Sequence, residues 1–391
     1  MKRRERAFDL NSLGKASYAS RSAIEKLVAH LRERGFPEVS SRASQYRARK
    51  EICRTETDYG TLVQKVSVPV SKGGETMVSM QAPLPFFVYN CEHSESYARI
   101  VRDALNSHPC SPAAPWHIIL YQDGVDPSDM GATHHTRSSC AWYWSIAEFG
   151  LYALSHEEMW GCVCTLRKSE YKAIEGDISG LLVKILELFR GTHDIKLAGV
   201  NVVIGGKRTR VFADVDVFFG DEPALKEMFD FKGHAGTKPC PLCANICLCK
   251  SMKLYNFPPP MRTLACTEWN DLMLHTDASI KASVARMKDL VEEREAKRIT
   301  LQEFEDRSGL IGWNHNPAHS ALFGNKLDVR VASNLMFDWP HVYVHGGLAD
   351  VEFGHFMKLL AKKGFSSANL ICKWLARMPA SQPLSNSTIL Q

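Results

Sequence analysis

The stretch Phe219-Gly-Asp221-Glu-Pro-Ala, followed by Lys232-Gly-His234-Ala-Gly-Thr-Lys-Pro-Cys240-Pro-Leu-Cys243, decides how this chain is read. An apolar run from Arg210 to Phe219 ends in a carboxylate at Asp221, and a Cys-x-x-Cys knuckle begins nineteen residues after it. A second apolar run, Trp116-His-Ile-Ile-Leu-Tyr121, leads into Asp123-Gly124 in the same way. Strand ends are rigid, so if the two strands are neighbours Asp123 and Asp221 converge. Close carboxylates repel unless a cation sits between them, so such a pair implies metal. Hard cations such as Mg2+ or Mn2+ take carboxylate oxygens, and two ions about 4 Å apart can activate an oxygen nucleophile and neutralise a leaving oxygen. Blander readings stand beside this one. Asp123-Gly124 is also a common turn pair, and Asp221 can cap a helix opened by Glu222-Pro223. Asp126, Asp129, Asp214 and Asp216 are weaker acid candidates, the last two sharing a strand face that is expected to be solvated.

The Cys240-x-x-Cys243 turn presents two thiolates to one ion, and zinc wants four ligands in a tetrahedron. Cys247 and Cys249 would complete a local four-cysteine site; the pairs His341/His345 and His315/His319, each at i, i+4 spacing, would complete a Cys2His2 site. Buried free thiols are the alternative. Cys162 and Cys164, two apart in an apolar run, read as core packing on one face.

Around these motifs the periodicity predicts an order of elements. Residues 21–34 read as a helix, and a second helix, capped by Ser40 or Ser41, runs to about Arg54 with Arg42, Arg47, Arg49 and Lys50 on it. The pair is compatible with a helix-turn-helix or with an accessory helical pair. Residues 60–90 alternate like strands and Ser94–Ser107 like a helix. Strands follow at Trp116–Tyr121, Ala141–Phe149 and Trp160–Leu166, then a helix capped by Asp177, then a hairpin from Val200–Ile204 through Gly205-Gly206 into Arg210–Phe219. Residues 267–308 read as helical, with a capping box at Thr300-Leu-Gln-Glu303. A helix is expected from about Asp350 to Lys362, and the tail from 379 to 391 has no core pattern.

At this point the residues resemble the DDE transposases of the CACTA/Mirage/Chapaev group and the related recombinase core that assembles antigen-receptor genes. The likeness rests on Asp123-Gly124, on Gly220-Asp221-Glu-Pro-Ala, on the Gly-His-Ala-Gly…Cys-x-x-Cys segment, and on Asp338-Trp-Pro-His341, where Pro replaces the family's Met. It spans about 116 to 354. It implies an α/β fold of the RNase H-like kind, a mixed sheet with a helical, zinc-clipped insertion. It implies Asp123, Asp221 and Asp338 as catalytic acids, Asp123 and Asp221 holding Mg2+ or Mn2+, and Cys240, Cys243, His341 and His345 holding structural zinc. Glu352 is the other candidate third acid. Downstream of Asp338 the family pattern thins, as in a truncated or degenerate copy. The implied activity is cleavage and strand transfer of transposon-end DNA. The rivals are a domesticated, catalytically dead zinc- and DNA-binding protein, and an unrelated zinc-clipped interaction protein.

Composition fits that reading. The sequence of 391 residues is 45% hydrophobic and 23% charged, enough for a large core. Its segments divide at about 1–58 (basic, helical), 59–115 (connecting), 116–232 (core), 233–330 (Cys-x-x-Cys insertion), 331–378 and the tail. Residues 1–54 hold 14 Lys/Arg against 6 Asp/Glu, a surplus that suits contact with DNA phosphates. No apolar run reaches the ~18 residues that span a bilayer, and the N-terminus lacks a secretory h-region. With 12 cysteines in no small-scaffold pattern, a reducing, intracellular and nuclear setting is expected, with no membrane partner and with self-association on DNA ends.

Overall fold

The computed structural model describes residues 42–125, 138–233, 236–248, 261–263, 269–338 and 358. The chain divides into two units, Met1–Glu56 and Thr57–Gln391. In the first, the expected basic helix is present as α1 (Arg42–Cys53). Tyr46, Arg47, Lys50 and Arg54 are exposed, and Arg47, Lys50 and Arg54 fall at i, i+3, i+7, one side of a helix. The helix expected over 21–34 lies outside the described residues.

The second unit opens with the hairpin β1 (Val63–Pro69) and β2 (Glu75–Gln81). The strand-like reading of 60–90 fails at its end. Pro83-Leu-Pro85 starts a helix, α2 (Pro83–His93), because proline fits the first helical turn, where no N–H is needed. Helix α3 (Glu95–Ser107) is capped by Ser94, whose hydroxyl accepts from the Tyr97 amide, and it buries Tyr97, Val101 and Ala104 along one stripe.

The core sheet follows. Its strands are β3 (Trp116–Val125), β4 (Ser139–Ile146), β5 (Gly161–Arg167), β8 (Ala213–Gly220) and β11 (Leu335–Phe337). Between them lie α4 (Asp177–Arg190) and the hairpin β6 (Val200–Ile204) and β7 (Lys207–Val211); α5 (Glu222–Phe229) follows β8. The sheet order is β11-β8-β3-β4-β5. β3, β4 and β5 form an antiparallel meander, while β8 pairs parallel with β3 and β11 parallel with β8. The run Arg210–Phe219, read from sequence as one hairpin strand, divides at Phe212: β7 closes the hairpin and β8 enters the central sheet. The helix read as capped by Asp177 is capped instead at Gly176, a left-handed position; Asp177 is its first residue and pairs with Lys172 at 2.8 Å.

One face of the sheet is the core. Ile118, Leu120, Trp142, Trp144 and Phe218 are at most 2% exposed there. Helix α4 places Ile178, Leu181, Leu182, Ile185, Leu186 and Phe189 at 0% exposure, and the Phe189 ring meets Trp144 edge-on at 5.5 Å. Phe229 of α5 meets Phe218 in the same way at 5.1 Å. Each such side chain contributes about 1.5–3 kcal/mol of burial. Gly161 is required by this packing, since a Cβ there would lie 2.3 Å from the Trp144 indole nitrogen. On the other face, Ile119, Tyr121, Asp123, Tyr143 and Phe219 are half-buried, and these positions carry the candidate site.

Beyond α5 the chain is clipped by β9 (Ile246–Cys247) and β10 (Arg262–Thr263), then forms α6 (Asp277–Glu295) and α7 (Leu301–Ile311). Thr300 and Glu303 make the expected capping box. Among the described residues no helix is long and apolar enough to cross a membrane.

Candidate functional site

Asp123 does not follow its strand, as the sequence suggested; β3 runs through it to Val125, with Asp123 opposite Ala141 of β4. Asp221 does follow β8, and it is the N-cap of α5, its Oδ1 accepting from the Ala224 amide at 2.7 Å. The capping reading of Asp221 therefore holds. It occupies one carboxylate oxygen and leaves the other geometrically distinct. Asp338 follows β11, is buried, and donates its backbone N–H to the Gly220 carbonyl at 2.8 Å.

Register brings these acids into one row. Phe219 of β8 is opposite both Tyr121 of β3 and Met336 of β11, and Gly220 is opposite Phe337. Carried forward along three parallel strands, the same register aligns Asp123, Asp221 and Asp338. Neighbouring strands are about 4.8 Å apart, and residues of one row point to one side. Gly220 fits closely at this point: a Cβ there would lie 3.2 Å from the Ala224 Cβ and 3.3 Å from the Gln122 carbonyl.

Tyr121, two residues before Asp123 and so on its face, reports the gathering. Burial raises its phenol above the usual range, followed by the charges of Asp123 and Asp338, a hydrogen bond to Asp123 and the charge of Asp221. All three acids are thus within electrostatic reach of one hydroxyl. That phenol stays protonated at any physiological pH and donates to Asp123. Its ring stacks on Tyr143 at 6.1 Å and meets Trp160 and Phe219 at 6.3 and 5.3 Å, an aromatic floor beside the acids. Tyr121 was not singled out from sequence; its position two residues before Asp123 in an alternating strand was the available signal.

The other acid candidates are used elsewhere. Asp214, expected to be solvated, is buried and paired with Arg190 and with Lys196 at 2.7 Å. Asp216 sits in a register shift between Val215 and Val217 and approaches His117 at 3.7 Å. Asp126, Asp129 and Glu352 lie outside the described residues.

The Cys-x-x-Cys knuckle is tied down through its backbone. Leu248 donates to Thr237, Ala244 to Met273, His275 to Leu242 and Arg262 to Asn245, at 2.7–3.0 Å. The buried Asn245 side chain fixes the same loops, donating to Asp271 and accepting from Met273. The Cys240 and Cys243 thiols hydrogen-bond to each other, which lowers Cys240 to about 6 and raises Cys243. Cys249, His341 and His345 lie outside the described residues. His315 and His319 are not available as a ligand pair. His319 is buried, its Nε2 faces the Phe229 carbonyl at 2.9 Å, and its ring lies among Trp313 and Phe323. Cys164 is in the core, but a register shift opposite it leaves Cys162 half-exposed across from Tyr143. Among the described residues, no three His, Cys, Asp or Glu side chains already surround a common point as a metal site does. No protein-family model matches the chain, and no curated protein matches it either.

Proposed function

We propose that this chain is a transposase-like protein of the DDE type, which uses Asp123, Asp221 and Asp338 for metal-dependent phosphoryl transfer on DNA. The observation that carries the reading is the register of three adjacent parallel strands, in which Phe219 is opposite both Tyr121 and Met336; carried two residues forward, it aligns Asp123, Asp221 and Asp338. The sheet order, a three-strand antiparallel meander with two parallel strands added beside its first strand, agrees with the RNase H-like arrangement implied by the sequence resemblance.

The donor set fits Mg2+ or Mn2+, since all three groups are hard carboxylate oxygens on rigid elements. A bound pair of such ions would supply activation of the attacking oxygen and neutralisation of the leaving one. The chain's own residues do the rest. Asp123 and Asp221 would take the ions, with Asp338 beside Asp221. The Tyr121 hydroxyl donates a hydrogen bond to Asp123 and so orients that carboxylate. The half-buried rings of Tyr121, Tyr143, Trp160 and Phe219 limit water around the acids, where charge interactions are stronger. The basic residues Arg47 and Lys50 on α1, with Arg54 just after it, would contact DNA phosphates, and self-association on DNA ends and a nuclear location belong to the same reading.

A second reading, DNA and zinc binding without catalysis, is favoured by one observation: Asp221 already serves its helix as N-cap. Plasmid nicking by the full chain in Mg2+ or Mn2+ separates the two. Catalysis predicts nicking that falls roughly 100-fold or more in Asp123→Ala, because metal misplacement of about 1 Å has that effect. No nicking, with DNA binding retained and lost on deletion of residues 1–54, would leave the non-catalytic reading standing.

A further inference from the structure

The hairpin of β6 and β7 stands apart from the core sheet as a two-stranded ribbon of its own. One face is anchored. Val200, Val202 and Val211 are fully buried, and this side packs on α2. The Asn201 amide donates to the Tyr59 hydroxyl at 2.7 Å, which fixes the base of the ribbon. The tip is free. Gly205 and Gly206 both take positive φ, 57° and 78°, as a two-residue turn of the I′ kind requires, and a Cβ on either would meet nothing within 4 Å.

The charge at this free end is of one sign. From Gly199 to Val211 the sequence holds Lys207, Arg208 and Arg210 and no Asp or Glu, and all three cations are exposed. Alternation along β7 puts Lys207 on one face and Arg208 and Arg210 on the other, opposite Val203 and Asn201. Arg208 approaches Asp58 at 3.5 Å, a pair so exposed on both sides that it contributes little and yields to a stronger anion. Arg210 gives its Nε–H to the Asn201 side chain at 3.1 Å, and its stem lies over Gly199, where a Cβ would be 2.8 Å from the Arg210 Cγ. The guanidinium is thereby aimed without being neutralised. Among the described residues no carboxylate pairs with Lys207 or Arg210.

A flat patch that met one row of phosphates would carry its cations on one face. Cations on both faces of a narrow ribbon with a bare tip suit a cleft with two anionic walls. Duplex DNA has such a cleft: its major groove, about 12 Å wide, admits a two-stranded ribbon, and its minor groove is about half as wide. The major groove of duplex RNA is too deep and narrow to enter. We propose that the β6–β7 ribbon enters the major groove of duplex DNA tip first, with Lys207 bonding phosphates along one wall and Arg208 and Arg210 phosphates along the other. The inference rests on the reading of the chain as a DNA-binding protein, and it assigns a duplex contact separate from α1 and from the acid row. Because its cations bond phosphates, the ribbon positions the duplex and does not select its sequence.

The test is binding of the full chain to a short DNA duplex across a range of salt, with the matching single strand and RNA duplex as competitors. The wild type is compared with the triple variant Lys207→Gln/Arg208→Gln/Arg210→Gln and with Val203→Glu. The wild type should prefer the DNA duplex to both competitors. In the triple variant the slope of log affinity against log salt should be shallower by about 0.9 for each cation removed. Val203→Glu places an acid opposite Arg208 on the exposed face and should weaken binding with every cation still in place. Methylation of guanine N7, in the major groove, should hinder the wild type more than the triple variant. Wild-type affinity and slope in the triple variant, or undiminished binding by folded Val203→Glu, overturns the ribbon contact and leaves the DNA reading standing. A wild-type chain that binds no duplex at any salt removes that reading and the ribbon's role with it. Equal loss of single-strand and duplex binding, or equal hindrance by N7 methylation, overturns the groove placement. If the triple variant fails to fold, Val203→Glu decides the matter.

Discussion

The two ends of strands β3 and β8 both collect carboxylates, and they use them differently. At the start of the strands, Asp214 is held by Arg190 and Lys196, while His117 lies between Glu148 at 2.6 Å and Asp216 at 3.7 Å. These acids are matched to cationic partners and serve the fold. At the far end, Asp123 receives the Tyr121 hydroxyl, Asp221 receives the Ala224 amide, and Asp338 joins them in one row. The comparison shows that an acid on a strand acquires its meaning from register rather than from its neighbours in sequence.

The first end also sets the second. Asp216 is the extra residue where the pairing of β8 with β3 shifts: Val215 is opposite Ile118, but Val217 is opposite Ile119. Without that shift Phe219 would face Gln122, and Asp221 would align with Gly124 instead of Asp123. The bulge therefore determines the acid row, and its flanking contacts, Arg190 to Asp214 and to the Val215 carbonyl, hold the bulge.

The largest expected break in this comparison is Arg190→Met. Arg190 also donates to the Leu327 carbonyl, so its loss leaves the buried Asp214 paired with Lys196 but no longer with Arg190, and frees two carbonyls. Removing one partner of a buried pair costs about 3–5 kcal/mol when the charge is left uncompensated, and the remaining Lys196 contact sets this loss at or below the low end of that range. Chemical denaturation should show that loss, and Mn2+ affinity at the acid end should fall with it if the bulge sets the row. Undiminished Mn2+ affinity in a destabilised protein would uncouple the two ends.

Asp221 allows a finer separation between fold and chemistry. Asparagine caps helices about as well as aspartate, whereas alanine does not and costs about 1 kcal/mol. Asp221→Asn should keep stability within a few tenths of a kcal/mol yet lose metal-dependent nicking. Asp221→Ala should lose both. Equal nicking by the wild type and Asp221→Asn would reduce Asp221 to a helix cap.

The end of β8 was legible, because the apolar run that stops before Asp221 marks a strand end, whereas β3 runs on through Asp123; Ser94, Thr300 and Glu303 announce their helix starts. The first end was not. A bulge leaves no trace in alternation, so Asp214 and Asp216 read as one solvated face, and Glu148 lies on a short 3-10 turn inside a stretch read as strand. Pro83-Leu-Pro85 misled in the opposite way, two prolines in an apolar run concealing a helix start.

The smallest expected effect is a pH dependence at the first end. The hydrogen bond to Glu148 raises the His117 pKa above 6.5, against the opposing effect of burial, with the charges of Asp216, Glu148 and Asp214 acting in the same direction as the bond. Because the folded value is the higher one, the stability it confers is complete below the unfolded histidine pKa and is lost as pH rises through the folded pKa. His117 is half-exposed, so solvent screening holds the effect to about 0.2–1 kcal/mol. Asp216, whose carboxyl is raised mainly by burial, faces His117, Asp214, Arg330 and Glu148. Denaturant midpoints should therefore decline gently from about pH 6 to 8 in the wild type, and His117→Gln should remove that decline while leaving the steeper acid limb. An unchanged slope in His117→Gln would mean that the ion pairs beside the bulge hold it without help from the histidine, leaving Arg190 and Asp214 as the contacts that set the acid row.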